Sequence, residues 1–355
     1  PALLSAAKLA NSGEVRASFA ALREHIIEMK NGVGEIAADR WLSLGPATRE
    51  STLVMTSGRE LMKEVNERIQ DGLRVEGVLK GEGHTITIYD KVHATRAELQ
   101  SPATYERGMI IQIPQRLRSA KSVITARSEG VITNVDREKE TVTFRDETGR
   151  NHSFSPRKLP RNKDQEPLRL LRPRDIKIHE GDRLRFTDTD KTLEIYNAEK
   201  TKILGIDQSG VRVTNGQGTE IVLPFDHPML KRVDLAYTLN THQLQGATAD
   251  NVIAAARSTE TNLATAKNFL VNITRARDNL VLIVDDAKQY GMRIDRNRGE
   301  KESALETLGR LLPWAAQPVS MPDTKPTQPQ NKHVPQREPD LSISSGSARN
   351  RDFER

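Results

Sequence analysis

The sequence contains no cysteine among its 355 residues, which excludes a disulfide framework and a thiolate metal site. No apolar run approaches the roughly 18 residues of a membrane-spanning helix, and no signal-peptide pattern opens the chain. The eight histidines are scattered without metal-ligand spacing, so no metal site is predicted. These absences favour a soluble, cytoplasmic protein that is not inserted into a membrane.

Two motifs of nucleotide hydrolysis are also missing. The chain holds no G-x-x-x-x-G-K-[ST] loop and no acidic strand end placed as a Walker B site. We therefore expect that the chain alone does not hydrolyse ATP. If it takes part in ATP chemistry, the lobe that cradles the nucleotide should lie N-terminal to Pro1 in a longer protein.

The charge balance is basic, with 29% charged residues and a net charge of +6. Lysines and arginines concentrate in two runs, 107–127 and 157–174, the first of which contains no acidic residue. Dense phosphate charge attracts such clusters through counterion release. We predict DNA contacts at Arg116, Arg118 and Lys121, although a solvated loop between small domains would have the same composition.

The most informative segment is 234–286. It contains Thr241-His242-Gln243-Leu244-Gln245-Gly246 between two apolar runs, and Asn272-Ile273-Thr274-Arg275-Ala276-Arg277 at the end of a helical pattern. A third apolar run follows at 280–284. Strand, polar turn with a glycine, strand, helix with a terminal arginine, and strand is the order expected for the C-terminal half of a RecA-like motor lobe.

These two stretches resemble motifs V and VI of superfamily 1 helicases, and within that superfamily the TraI-type conjugative relaxase–helicases. The order of features over 3–312 resembles the last part of the helicase module of that family. A strand, turn and helix at 52–71 resemble motif IV, with Asn66 in the place of the family's asparagine. Members of the family nick a plasmid strand, unwind it and pass into the recipient cell.

The resemblance implies that Arg275 is the catalytic and nucleotide-binding residue. A guanidinium is permanently charged and can fork onto phosphate oxygens. At a helix end facing the nucleotide cleft, it would stabilise the charge that develops on the γ-phosphate during phosphoryl transfer. The alternative is an arginine that complements the helix dipole, and that alternative is favoured for Arg277.

Motif V implies contacts of another kind. Thr241 and His242 can donate hydrogen bonds to a DNA phosphate, which positions a strand without reading its sequence. Gln245 and Gly246 are predicted to bind nucleotide, since glycine allows a close backbone approach and glutamine can bridge the two ligands. Thr56, at the end of the motif IV strand, is a further predicted DNA contact.

We predict an α/β fold: a RecA-like second motor lobe, in which helices flank a parallel sheet, with inserted SH3-like β-barrels and a disordered C-terminal tail. The strands of the insert fall into two blocks of similar plan, which predicts two tandem barrels of about five strands each. The family usually has Asn-Gly where this chain has Asn197-Ala198. The predicted boundaries are a helical segment at 1–50, the first part of the lobe at 51–78, the insert at 79–226, the second part of the lobe at 227–314 and the tail at 315–355.

The resemblance implies an ATP-dependent DNA helicase that moves along single-stranded plasmid DNA, with ATP and Mg²⁺ bound mainly by another lobe. The implied partners are single-stranded DNA, an N-terminal RecA-like lobe, a relaxase domain and a type IV secretion coupling protein. The implied location is the donor cytoplasm, with transfer to the recipient. Two alternatives remain: a RecD-like repair helicase, and a non-catalytic module that binds single strands and carries a secretion signal.

Overall fold

The structure is a computed structural model that describes residues 2–118, 123–126, 128–160, 166–240 and 248–299. The helices of this part are α1 (Ala2–Asn11), α2 (Val15–Ala21), α3 (Val33–Leu42), α4 (Pro46–Glu50), α5 (Arg59–Val75), α6 (Arg96–Leu99), α7 (Ala266–Thr274) and α8 (Ala287–Arg296). Short 3-10 helices occur at Arg23–His25, Pro102–Thr104, Pro156–Lys158 and Pro228–Arg232.

The strands are β1 (Ile26–Glu28), β2 (Thr52–Thr56), β3 (Lys80–Val92), β4 (Ile110–Ile113), β5 (Leu117–Arg118), β6 (Val123–Ile124), β7 (Ser128–Asp136), β8 (Thr141–Asp146), β9 (Asn151–Phe154), β10 (Arg169–Glu180), β11 (Arg183–Phe186), β12 (Lys200–Lys202), β13 (Gly205–Asp207), β14 (Gly210–Thr214), β15 (Glu220–Leu223), β16 (Val233–Leu235), β17 (Thr238–Asn240), β18 (Ala249–Ala256) and β19 (Ala276–Val284).

A five-stranded parallel sheet of order β1-β19-β18-β2-β17 is the frame of the structure. Its inner strands are apolar along most of their length, as expected for parallel strands that are covered on both faces. The last five residues of β18 are all buried. This sheet, flanked by helices, confirms the predicted α/β fold.

Helices cover the two faces of this sheet. α3 and α5 contact one face, and α5 does so because Leu61, Val65 and Ile69 recur at helical spacing and are fully buried. α1, α2, α7 and α8 pack together on the other face, where Phe269 and Tyr290 lie in a second core. The carboxyl ends of the strands meet at one edge of the sheet, and ligands of open α/β sheets bind along such an edge.

The insert follows α5 and is built on a long antiparallel ribbon of β3 and β10. The ribbon belongs to a six-stranded sheet of order β3-β10-β4-β7-β8-β9, and the other sheets of the insert are β12-β11-β16, β13-β14-β15 and β5-β6. One end of the ribbon packs into a core shared with the lobe, which we call the lobe–insert core; it includes Val54, Leu61, Ile88, Leu184, Phe186 and Ile253. The other end packs into a separate distal core that includes Ile111, Phe144 and Leu170.

Three details differ from the sequence-based expectations. Segment 1–50 is not wholly helical, because β1 pairs with β19 and is an edge strand of the parallel sheet. Residues 201–206, a short apolar run that predicts one strand, are divided between two strands, β12 and β13. Strand pairing of the insert continues past residue 226, since β16 pairs with β11. These strands are only three residues long, so their hydrophobic patterns are too short to recognise. The predicted tail, 315–355, lies outside the described residues.

Candidate functional site

Arg275 caps the C-terminal end of α7 and directly precedes β19. The helix begins where the Thr265 hydroxyl accepts a hydrogen bond from Asn268 N at 3.1 Å, and Phe269 and Ile273 anchor its apolar face. It ends where the Thr274 hydroxyl donates back to Leu270 O at 2.8 Å. The Arg275 side chain is half-buried, with its Nε atom out of solvent.

The backbone connects Arg275 to the end of motif V. The Arg275 carbonyl oxygen accepts a hydrogen bond of 2.9 Å from Ala249 N, and Ala249 lies opposite Ala276 in the parallel pairing of β18 with β19. Ala249 comes three residues after Gly246 in the chain. The arginine of motif VI and the exit of motif V are thus neighbours at the amino edge of the sheet.

Arg277, two residues further on, has a different environment. Its side chain is exposed and reaches Asp250 at 3.4 Å and the Thr248 hydroxyl at 3.2 Å. Both partners lie at the start of β18. Arg277 therefore bridges two adjacent strands at the surface, in keeping with the structural role favoured for it from the sequence.

The predicted motif V contacts Thr241, His242, Gln245 and Gly246 lie outside the described residues. The strands on either side of them are described. β17 ends at Asn240 at the carboxyl edge, beside Thr56 of β2, whereas β18 begins at Ala249 at the amino edge. The described ends on either side of this stretch therefore lie at opposite edges of the sheet.

Thr56 lies at the carboxyl edge, as expected, but it is covered. Its side chain is buried, as is that of Ser57, whose hydroxyl donates to the carboxylate of Glu260. The same carboxylate occupies the space where a Cβ on Gly58 would stand, so glycine leaves room for its close approach. The Glu260 carboxylate therefore lies against the turn between β2 and α5.

The two basic runs differ in how their charge is used. Arg116 is exposed and Arg118 lies in β5, while Lys121 falls outside the described residues. In the second run, four arginines each meet a carboxylate. These pairs are Arg157–Glu140 at 2.7 Å, Arg169–Glu166 at 2.6 Å, Arg172–Glu106 at 2.9 Å and Arg174–Asp90 at 2.7 Å. The arginines of the second run therefore contribute less net charge than the sequence indicates.

A buried polar network positions the strand that leads into motif V. Asn66 of α5 accepts hydrogen bonds from Tyr237 N at 3.0 Å and Thr238 N at 2.9 Å, and donates to Leu235 O at 3.2 Å. The Asn66 amide therefore makes the backbone hydrogen bonds that a neighbouring strand would make beside the short edge strand β17. Sequence analysis placed Asn66 at the family's asparagine but gave it no role.

A second part of this network joins the lobe to the insert. Asp182 is fully buried and accepts hydrogen bonds from the Tyr237 hydroxyl at 2.5 Å, from Gln70 at 2.7 Å and from His179 N at 2.6 Å. Burial raises the pKa of the Asp182 carboxyl, and these three donors oppose the rise. Burial and the nearby carboxylate raise the pKa of Tyr237 far above its usual range, so its hydroxyl remains a donor.

Comparison with known proteins matches part of this chain to one family. Residues 89–178 match the family described as the DNA relaxase TraI 2B/2B-like domain. The multifunctional conjugation protein TraI of Escherichia coli is 25% identical over 266 residues, covering 74% of this chain and 14% of that protein. The protein of the same name from strain K12 is 24% identical over 250 residues, covering 69% and 13%. These matches confirm the resemblance to TraI-type relaxase–helicases, and the chain spans about one seventh of the length of these relatives.

The solved structures that match this chain include two Pif1 helicases. Bacteroides Pif1 bound to single-stranded DNA is 12% identical, with a TM-score of 0.29, and the match covers 88% of this chain and 53% of that chain. Candida albicans Pif1 is 10% identical, with a TM-score of 0.24 over 73% and 55% of the two chains. In the described part of the present chain, no helix is long and apolar enough to cross a membrane.

Proposed function

We propose that this chain forms the second motor lobe of an ATP-dependent DNA helicase within a conjugative relaxase–helicase. The lobe would grip single-stranded plasmid DNA and deliver Arg275 to a nucleotide held by a separate lobe. ATP with Mg²⁺ would be the fuel, and the partners would be the N-terminal motor lobe, the relaxase domain and a secretion coupling protein. The lobe would be interrupted by the insert, whose strand pairing extends past residue 226 to β16.

The observation that supports this proposal is the hydrogen bond between Arg275 O and Ala249 N. It ties the candidate arginine finger to the exit of motif V, whose entrance adjoins the Thr56 edge. A change of nucleotide state sensed by Arg275 would therefore act directly on the segment proposed to hold DNA. A motor lobe needs this kind of mechanical connection between its two ligands.

A non-catalytic module that binds single strands and carries a secretion signal is the second candidate. The paired arginines of the second basic run favour an insert whose surface charge is locally balanced, as in a protein-binding surface. Such a module would not need an arginine held at the amino edge of the sheet beside the start of β18. A RecD-like repair helicase is less favoured, because the insert matches the TraI 2B/2B-like family.

The test is single-stranded-DNA-stimulated ATP hydrolysis by the full-length protein that contains this lobe, comparing wild type with Arg275→Ala. Arg277→Ala is the matched control, because it removes the same charge two residues away and loses only the surface bridge to Asp250 and Thr248. We expect Arg275→Ala to lower turnover by about 10²-fold or more, given that arginine fingers contribute roughly 10³- to 10⁵-fold. DNA affinity should change little, and Arg277→Ala should stay within about threefold of wild type.

Equal turnover in wild type and Arg275→Ala would rule out the arginine-finger role. The absence of turnover in wild type, together with intact DNA binding, would instead favour the non-catalytic module. Recording DNA affinity alongside turnover separates a coupling defect from a binding defect.

A further inference from the structure

Tyr237 lies where the lobe and the insert meet. Its ring is buried, and the ring centroid lies 6.3 Å from that of Trp41 in α3. Its backbone N–H donates to the side chain of Asn66 in α5, and its hydroxyl donates to Asp182, which lies between β10 and β11 of the insert. The lobe therefore holds the backbone of Tyr237, while the insert holds the end of its side chain.

The strand that follows Tyr237 leads directly into the predicted motif V. Thr238 N donates to the same oxygen of Asn66 at 2.9 Å, and the Thr238 hydroxyl donates to a carbonyl oxygen of β2 at 3.0 Å. β17 ends at Asn240, and Thr241, the first predicted DNA contact of motif V, is the next residue in the sequence. Tyr237 is thus an anchor for the start of motif V.

The strand β17 depends on such anchors because it is short. It has three residues, and its described pairing is with β2 alone. Parallel pairs are slightly less stable per residue than antiparallel pairs, and a strand of this length makes few of their hydrogen bonds. Side-chain contacts from α5 and from the insert therefore contribute much of what fixes the position of β17.

Asp182 is itself held in place, so it provides a fixed point for the Tyr237 hydroxyl. Besides that hydroxyl at 2.5 Å, its carboxylate accepts from Gln70 Nε2 at 2.7 Å and from His179 N at 2.6 Å. Asp182 is fully buried. A buried network of hydrogen-bonded groups is rigid and specifies one arrangement of the parts that it joins. The insert thereby sets the position of the Tyr237 side chain and, through it, the start of β17.

We propose that Tyr237 is a positioning residue for the binding of single-stranded DNA by motif V. The inference rests on the proposed function, and it assigns no DNA contact to Tyr237, because the side chain is buried. Its two anchors, Asn66 and Asp182, hold the entry to motif V in place before DNA arrives. Binding to a pre-organised segment avoids the free energy cost of ordering that segment. Loss of the hydroxyl should therefore weaken DNA binding and leave the chemical step unaffected.

The test is ATP hydrolysis by the full-length protein that contains this lobe, measured against the concentration of oligo(dT). The variant is Tyr237→Phe, which removes the hydroxyl and keeps the ring. We expect the concentration for half-maximal stimulation to rise about five- to tenfold, part of the contribution of a hydrogen bond to a charged acceptor. Turnover at saturating oligo(dT) and the KM for ATP should stay within about twofold of wild type, because the lost interaction serves DNA binding alone.

Two comparisons separate this role from a general loss of stability. Tyr105→Phe is the matched control, because the Tyr105 hydroxyl is also buried and donates to Leu99 O at 2.6 Å, but in the distal core. It should leave half-maximal stimulation within about twofold of wild type. Asp182→Asn should raise the same concentration. The double variant Tyr237→Phe/Asp182→Asn should show less than the product of the two single effects, because both changes remove one shared interaction.

Half-maximal stimulation at an unchanged oligo(dT) concentration in Tyr237→Phe would overturn the positioning role, while the proposed function would stand. An equal rise in Tyr105→Phe would overturn it as well, and so would a fall in turnover at saturating oligo(dT) with unchanged half-maximal stimulation. If oligo(dT) does not stimulate wild type, the proposed function fails and this inference fails with it.

Discussion

Ala198 adopts a backbone conformation that non-glycine residues rarely take. Its φ is +70°, in the left-handed region, and its N–H donates to Phe186 O at 2.9 Å just before β12 begins. The Cβ of an L-residue crowds the carbonyl oxygen there, which costs about 1–2 kcal/mol. This is the position at which the resembling family usually has glycine. The departure from the family pattern is therefore a site of local strain.

Ala198→Gly should stabilise the chain by about 0.5–1 kcal/mol, since relief of this strain exceeds the added flexibility of the unfolded state. Urea denaturation would measure the change as a higher midpoint at constant slope. The same exchange at Ala94, where φ is not positive, should instead destabilise slightly. Equal effects at the two positions would contradict the strain at Ala198.

At the next scale, the turn between β2 and α5 is closed by a carboxylate from elsewhere in the chain. Glu260 accepts from the Ser57 hydroxyl and lies against Gly58, at the N-terminus of a 17-residue helix. Unpaired N–H groups and the dipole make such a terminus attractive to anions. Glu260 therefore occupies a position that a DNA phosphate at the Thr56 edge would also favour.

Glu260→Gln should strengthen single-strand binding by roughly two- to fivefold, because the competing negative charge is removed. It should also lower stability by about 0.3–1 kcal/mol through loss of the favourable interaction with the helix dipole. Anisotropy titration and urea denaturation would measure the two effects on one preparation. Glu60→Gln, in the exposed first turn of the same helix, is the control for charge alone; if it raises affinity equally, Glu260 is not a competitor.

At the scale of the whole molecule, the lobe and the near half of the insert share one core. Leu184 and Phe186 from the insert pack in the same cluster as Val54 and Ile253 from the parallel sheet. The distal core, with Phe144 at its centre, is a separate cluster at the far end of the β3–β10 ribbon. The insert should therefore move as two parts, one rigidly attached to the lobe and one joined to it through the ribbon.

Leu184→Ala should destabilise the lobe and the near half of the insert together, by about 2–5 kcal/mol for a fully buried leucine. Native-state hydrogen exchange would show this as an equal loss of protection at amides of β2 and β14. Phe144→Ala should lower protection in β7 and β8 and leave β2 unchanged. A Leu184→Ala effect confined to β14 would mean that the shared core does not unfold as one unit.

Sequence patterns predicted several parts of this structure correctly. Leu61, Val65 and Ile69 recur at helical spacing, and α5 packs through them. The apolar runs at 52–56 and 280–284 are strands of one sheet. Arg275 was predicted at the C-terminal end of a helix that precedes a strand, and it is found there. These features depend on residues close together in the chain, where local periodicity is informative.

Other parts depend on distant residues and had no local signal. β1 is three residues long and is a strand only because β19 lies beside it. Asn66 reads as an ordinary helical residue until its partners, about 170 positions away, are known. The hydrogen bond from Ser57, the residue after Thr56, to Glu260 joins segments about 200 residues apart. None of these contacts follows from periodicity.

By itself, the sequence determined the class of fold, the motifs that resemble a helicase lobe and the excess of basic residues, because these are properties of composition and short-range order. Only the tertiary structure decided how charge and motif are used. It pairs the arginines of 157–174 with carboxylates and brings Arg275 to the exit of motif V. It also aligns Arg183, Arg185, Lys200 and Lys202 on one face. Electrostatic interactions depend on the distance between charges in space. Strand register and the connections between strands set that distance, and residues far apart in the chain can therefore be close neighbours.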